Sequence, residues 1–439
     1  MTALQRELLQ FRDHLTFQRG ELAVDGVSCA DLAAKYGTPL YVLSENRIRR
    51  NYRAFHEALS RNYANVLVCP AYKANCHLAV CRLYETEAAG AEVVSPVELR
   101  IALDAGVPPE RIVFNGPVKK EADIELAVSS DVGLINADSV SEFDRMQRAA
   151  RKVGKKCNTG IRVNIGIAPK THPHLATAQR EHKFGIWIGD AVAAYRAAAR
   201  REELNLIGMH SHVGSNLSEP NVASEMSRQI FGLARRVNEE TGLRLLKIDL
   251  GGGLGFPYEP TSPCMSLDEY ASAILAKNMS VLAELKDPTV IFEPGRAIVA
   301  DAGILLTTVQ VLKKQGDVNW AIVDAGMNTF IRPALYGAKH QIELAKERSV
   351  EQNRYSIGGP CCESADTFGK DIALPTLSEN DLLAVLDVGA YGFTMSNNYN
   401  GLPRPAVVLV TQGQEELIRR RETYEEMISG EMIPRKLTK

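Results

Sequence analysis

Val66-Leu-Val-Cys-Pro-Ala-Tyr-Lys-Ala-Asn75 begins as an apolar run and gives way, through a proline and small residues, to a lysine just ahead of a helical pattern. This is a short strand with Lys73 at its carboxyl tip, and the same grammar returns seven more times. Strands are predicted at Glu92–Ser95, Ile112–Asn115, Gly133–Asn136, Gly160–Asn164, Leu206–His212, Leu245–Leu250 and Thr289–Glu293. Helical patterns separate them, among them Pro96–Ala105, Ser139–Val153, Asp190–Arg200, Asn221–Glu240 and Leu267–Leu285. Strand and helix alternating through eight units predict an α/β fold of the (β/α)8 TIM-barrel type. The alternative, a doubly wound open sheet, carries its phosphate-binding turn after the first strand. Here the glycine-rich turn, Asp249-Leu-Gly-Gly-Gly-Leu-Gly255, follows strand seven, where barrels build phosphate sites.

On either side of this repeat the pattern changes. After Ile298 the chain runs as short strands with few helices between them: Ile304–Leu312, Trp320–Asp324, Asp381–Asp387 and Pro405–Thr411. That is the pattern of a mainly antiparallel β domain. The segments Leu15-Thr-Phe17 and Glu21-Leu-Ala-Val24 have no place in the barrel count, so they are expected to complete the β domain. The predicted division is a barrel over 40–298 and a β domain over 1–39 and 299–439. A chain of 439 residues exceeds what one core usually organises, in keeping with two domains.

Composition narrows the class of function. Against 51 basic residues stand 53 acidic ones, a net charge of -2, which leaves no electrostatic footprint for nucleic acid or an anionic membrane. No apolar run approaches bilayer-spanning length and the first residues carry charges, so a cytoplasmic location is expected. The eight cysteines show neither zinc spacing nor a secreted framework, and no metal site is expected. A small-molecule enzyme fits best.

The residues that could carry chemistry fall in an ordered series. After Lys73 come His210-Ser-His-Val-Gly-Ser215, Gly251-Gly-Gly253, Glu293-Pro-Gly-Arg296, Ile331-Arg-Pro-Ala-Leu-Tyr336, Cys362-Glu-Ser364 and Gly389-Ala-Tyr-Gly392. Thr171-His-Pro173 and Lys183-Phe-Gly-Ile186 belong to the same series. A partly desolvated lysine has a lowered pKa and serves as a neutral nucleophile. Glycines let a phosphate approach the backbone closely, and an arginine meets a carboxylate with two parallel hydrogen bonds.

Over nearly the whole chain this series resembles the fold-type III pyridoxal phosphate enzymes, the alanine racemase and ornithine decarboxylase group, and most nearly the diaminopimelate decarboxylase branch. The resemblance implies pyridoxal 5'-phosphate held covalently by Lys73, with Glu92 beside that lysine. Gly251, Gly252, Gly253 and Gly295, with Ser215 and Arg296, would receive the phosphate end. His212 would stack on the cofactor ring and Glu293 would face its nitrogen, where the racemase branch has an arginine. Tyr391 would contact cofactor and substrate; Arg296, Arg332, Tyr336 and Glu363 would hold the far end of an amino-acid substrate. Cys362 would return a proton to the α-carbon, since a thiol pKa of roughly 8.5 suits donation near neutrality. Cys361 beside it is expected to be a packed bystander.

In this family the Cys-Glu pair reaches the neighbouring subunit, so the resemblance implies a homodimer with shared active sites. The implied reaction is decarboxylation of meso-diaminopimelate to L-lysine. Two positions depart from the branch. Asn115-Gly-Pro-Val-Lys-Lys120 stands where His-Gly-Asn-Asn-Lys is usual, and Glu92 where an aspartate is usual. They keep open a related substrate such as D-lysine, D-ornithine or a modified or carrier-linked amino acid. A non-catalytic pyridoxal phosphate carrier is the reading outside the enzyme class.

Overall fold

The structure, a computed structural model, describes residues 12–167, 182–259, 262–348 and 351–437. The chain divides into two compact units, one formed by the described residues of 48–257 and 261–299, the other by those of 1–47, 258–260 and 300–439. Among the described residues no helix is long and apolar enough to cross a membrane.

The first unit is a barrel of eight parallel strands: Val66–Val68, Ala91–Val93, Ile112–Phe114, Leu134–Ala137, Cys157–Asn164, Leu204–His210, Lys247–Asp249 and Thr289–Phe292. Each ladder joins sequence neighbours, and the last strand returns to the first through Val290 opposite Val66. The first and second strands meet just beyond the first one's end, where Gly90 N–H donates to the Val68 carbonyl (2.9 Å) and Glu92 N–H to that of Pro70 (3.1 Å). The strands are short because only their middles pair, and the residues just past them are released to the barrel mouth. A two-residue strand, Ile186–Trp187, adds to the end of strand five and was not anticipated.

The connecting helices carry the expected start and stop chemistry. Ser95 caps Pro96–Asp104 by accepting the Glu98 N–H, with proline at the first helical position. Glu142–Val153 ends on Gly154 at φ 75° and Pro220–Thr241 on Gly242 at φ 72°. The helix expected over Leu267–Leu285 breaks into Leu267–Ile274, a single turn at Ala276–Asn278, and Met279–Glu284.

The second unit holds a nine-stranded sheet built on one long strand, Gly303–Gln315. Val318–Val323, Leu382–Val385 and Leu40–Ser44 all pair with it antiparallel. Two pairs in the sheet are parallel, Leu40–Ser44 with Ala406–Thr411 and Val318–Val323 with Gln352–Gly358. Leu40–Ser44 corrects the expected boundary: the sequence reading gave it to the barrel, but it is a central strand of this sheet, and the division falls between Arg47 and Ile48. Its five residues are buried on both faces, and a strand of that kind has the same continuous apolar look in a barrel or a sheet interior. Leu15–Gln18, Glu21–Val24 and Val27–Ser28 form a small sheet of their own, and Leu22 and Val24 join Val42, Ile304, Leu306 and Val408 in this unit's core. A buried ion pair joins Arg12 to Asp387 at 2.6 Å in the same unit.

At Gly133 a Cβ would lie 2.0 Å from the Glu110 carbonyl oxygen, so the start of strand four tolerates no side chain. Gly133→Ala is expected to destabilise the barrel by about 1–3 kcal/mol, read as a lower denaturant midpoint with unchanged steepness.

Candidate active site

A cavity of about 360 Å³ opens at the carboxyl ends of the barrel strands. That volume lies in the range of small-molecule sites. Its walls are residues in the last turns of the ladders or just past them: Lys73, Glu92, Asn115, Arg162, His210 and Glu293, from strands or strand ends one, two, three, five, six and eight. His212 and Ser215 come from the loop after strand six, and Lys183 and Phe184 from the Lys183–Ile186 segment.

Lys73 is in direct ion pair with Glu92, which is 1% exposed. The lysine is therefore held by a carboxylate at the cavity wall, and Glu92 is placed to exchange a proton with Nζ. The second oxygen of Glu92 accepts from the Asn115 carboxamide at 3.2 Å. The same Asn115 nitrogen donates to Glu293 at 2.5 Å, and Asn136 donates to the Asn115 oxygen at 2.8 Å. One amide thus ties the partner of Lys73 to the carboxylate at the end of strand eight.

Glu293 is deeply buried, and burial together with the neighbouring charges of Asp249 and Glu92 holds its carboxyl well above the usual range. Asp249, in strand seven, is raised for the same first reason. Two carboxylates this close in a dry site cannot both be charged at little cost, so the pair retains a proton. Nε2 of His210 lies 3.7 Å from Glu293, and burial keeps that imidazole neutral. A positive ring nitrogen set against Glu293 would relieve what burial and repulsion now oppose. The donor set therefore fits a protonated pyridine.

His212 is also neutral, pushed down to about 3 by burial and then by the positive Arg162 and Lys73. Its Nδ1 accepts the Gly252 N–H at 3.3 Å, so the imidazole plane is anchored to the glycine turn. Within that turn a Cβ on Gly252 would lie 2.2 Å from the Glu293 carbonyl oxygen, and one on Gly251 2.7 Å from His212 Nδ1. Only glycine lets strand seven's turn, the imidazole and strand eight come this close. Arg296 Nη1 lies 3.5 Å from the Asn216 side-chain oxygen, in the same unit. The barrel thus gathers Lys73, Glu92, His212, Ser215 and Glu293 at one cavity, with the glycine turn packed on His212 and Glu293.

Arg332, Tyr336, Cys362, Glu363 and Tyr391 belong to the second unit. Arg332 is buried, with its guanidinium 4.7 Å from the Tyr258 ring centroid. Cys362 is exposed, and its N–H donates to the Asn400 side chain at 2.7 Å. Cys361 is buried, its N–H bonded to Asp366 at 2.7 Å and its thiol pushed up to about 11 by burial. Tyr391 adopts φ 56°, a left-handed backbone. Thr171-His-Pro173 lies outside the described residues.

Sequence reading missed Asn115 and Asn136 as site residues, together with Arg162 and Asp249. Arg162 sits 4.5 Å over the Phe184 ring and 3.5 Å from Asp138. All four are polar residues at or near the carboxyl ends of barrel strands, and in this fold that position is itself the signal.

Comparison with known proteins agrees with this geometry. Residues 45–300 match the family described as pyridoxal-dependent decarboxylase, pyridoxal binding domain. The diaminopimelate decarboxylase of Methanocaldococcus jannaschii is 38% identical over 428 residues, 96% of this chain and 97% of that one. That of Pseudomonas aeruginosa is 40% identical over 421 residues, 96% of this chain and 99% of its own length. The chain belongs to the diaminopimelate decarboxylase family. A crystal structure of the M. jannaschii family member superposes with a TM-score of 0.91 at 38% identity, covering 97% of this chain and 99% of that one. Another of the same protein, with a TM-score of 0.90, is a complex with L-lysine. Among the family's members this chain lines its cavity wall with Glu92, Gly116 and Pro117.

Replacing Asn115 separates the two carboxylates it joins. Asn115→Ala removes a donor that buried oxygens need, a loss of about 1–3 kcal/mol. Asn115→Asp adds a third negative group between Glu92 and Glu293. It is expected to melt below Asn115→Ala at neutral pH, the gap closing as the pH falls and the added carboxyl takes up a proton. Thermal denaturation of both variants between about pH 5 and 8 checks this, and parallel curves would contradict it.

Proposed function

We propose that this chain removes one carboxylate of meso-2,6-diaminopimelate as CO2 and releases L-lysine, with pyridoxal 5'-phosphate as its cofactor. One observation carries the reading: a lysine, a buried carboxylate and a glycine turn meet at the mouth of a (β/α)8 barrel. When bound, the cofactor supplies an electron sink for the pair left as the C–C bond breaks.

The chain's own residues supply the rest. Lys73 tethers the cofactor through Nζ, with Glu92 beside it to accept and return that nitrogen's proton. Glu293 holds the proton of the ring nitrogen, and His212 offers a neutral, anchored face to the ring. Gly251, Gly252, Gly253 and Gly295, with Ser215, Arg296 and Tyr391, receive the phosphate end. We assign Arg296, Arg332, Tyr336, Tyr391 and Glu363 to the substrate, whose far end carries a carboxylate and an ammonium. A guanidinium suits the first and a carboxylate the second. Cys362 Sγ gives its proton to the α-carbon after CO2 has left, and its exposure in the single chain leaves it open to such a role. The protein acts as a homodimer in which Cys362 and Glu363 complete the neighbouring subunit's site, and we place the activity in the cytoplasm.

A second reading within the same chemistry has one observation in its favour. Gly116 and Pro117, where the sequence leaves the usual pattern, line the cavity itself. A related amino acid is then the substrate.

Release of CO2 from meso-diaminopimelate, L-lysine and both ornithine isomers, assayed side by side, separates the two. Turnover of meso-diaminopimelate alone is expected, and Lys73→Ala should abolish it together with the visible absorbance of the tethered cofactor. Mixing Lys73→Ala with Cys362→Ala chains is expected to restore part of the activity, because one of the two shared sites in each mixed dimer keeps both groups. Mixtures that exchange subunits yet stay inactive would overturn the shared site.

A further inference from the structure

Arg332 is 4% exposed, and a buried guanidinium fixes the direction of its hydrogen bonds only if something holds it. Two side chains do so, both in the same unit. Arg332 Nη1 donates to the Tyr258 hydroxyl at 2.9 Å and approaches His340 Nε2 at 3.2 Å. The remaining ring nitrogen of His340 decides the character of the second contact. Nδ1 lies 2.9 Å from the Leu386 carbonyl oxygen, which can only accept, so Nδ1 carries the hydrogen and Nε2 presents a lone pair to Arg332.

The ring cannot turn away from this arrangement. His340 is 6% exposed, with Phe330 edge-on at 4.7 Å and Tyr258 at 4.8 Å between centroids. Tyr258 also lies beneath the guanidinium, 4.7 Å from ring centroid to Cζ. Burial, with Arg332 next, pushes His340 down to about 3, so the lone pair persists across the working pH range. Among the described residues no carboxylate is paired with Arg332. Its positive charge is oriented by a neutral acceptor and a phenol, and stays uncompensated.

We propose that His340 is a positioning residue for carboxylate recognition: by accepting from Nη1 of Arg332 it commits that nitrogen and aims the rest of the fork at the substrate's distal carboxylate. A carboxylate at His340's place would neutralise Arg332, and a protonated histidine would repel it. A neutral acceptor does neither. The proposal rests on the assignment of Arg332 to that carboxylate, and its test keeps the two apart.

The holoenzyme is titrated through its visible cofactor band with L-lysine and with 1,5-diaminopentane, the same chain without the carboxylate. His340→Asn keeps a donor for Leu386 but does not reach Arg332, whereas His340→Gln extends an acceptor toward it. His340→Asn is expected to weaken L-lysine about tenfold or more and leave 1,5-diaminopentane unchanged, with the KM for meso-diaminopimelate raised far more than kcat is lowered. His340→Gln should recover much of the loss. Equal losses for both ligands, or no difference between the two variants, would reduce His340 to a packing residue and overturn the proposal. Arg332→Lys separates the layers: if it too leaves L-lysine binding unchanged, the assignment of Arg332 fails, whereas a loss there with none at His340 sinks only the positioning role.

Discussion

A carboxyl whose ionisation burial and its neighbours oppose governs the barrel mouth. Glu293 is buried beside Asp249, and burial together with that neighbour opposes its ionisation. Natural folds seldom retain such a pair without a use, because each buried charge lacking a partner costs several kcal/mol. The surrounding residues contain the problem without removing it. Asn115 gives Glu293 one N–H and Glu92 another, and Asn136 fixes the amide's other end. His210 is kept neutral and so supplies no counter-charge. On the role proposed for Glu293, a protonated pyridine nitrogen would bring a positive partner to it. The acidity of the site and its cofactor are one constraint seen from two sides.

The glycine turn follows from the same packing. A Cβ on Gly252 would lie 2.2 Å from the Glu293 carbonyl oxygen, so strands seven and eight approach as closely as only glycine allows. His212 then lies on Gly251 and bonds to Gly252. The imidazole, the glycine turn and the buried acid cannot be placed independently, so a displacement at one is felt at the other two.

Much of this was legible in the sequence. Strand and helix patterns alternating through eight units gave all eight barrel strands, because parallel strands need a crossover helix between them. Lys73, His212, Glu293 and the glycines stood at strand ends, where the period breaks. The boundary at residue 40 was not legible, since Leu40-Tyr-Val-Leu-Ser44 is buried on both faces in the second sheet and carries the same signature. Gln352–Gly358 and Thr367–Pro375 were missed because their mixed, largely polar composition hides the alternation, and their place depends on pairing with each other and with Val318–Val323. Asn115 was quoted for its departure from a familiar pattern, yet its use was invisible. An asparagine bridging Glu92 and Glu293, far apart in sequence, is a fact of the closed barrel, and no local spacing encodes it.

Glu293 and Arg332 show two ways of keeping a buried charge ready for a ligand. Glu293 stands among groups that raise its carboxyl and make a positive partner welcome. For Arg332 what must be controlled is the direction of its planar fork. A phenol and a histidine tautomer fixed by a backbone carbonyl do that without cancelling the charge. A carboxylate partner would have oriented Arg332 equally well and left nothing for the substrate. A neutral acceptor at His340 is thus what the role proposed for Arg332 requires: a guanidinium oriented within the fold and left to meet a negative charge from outside it.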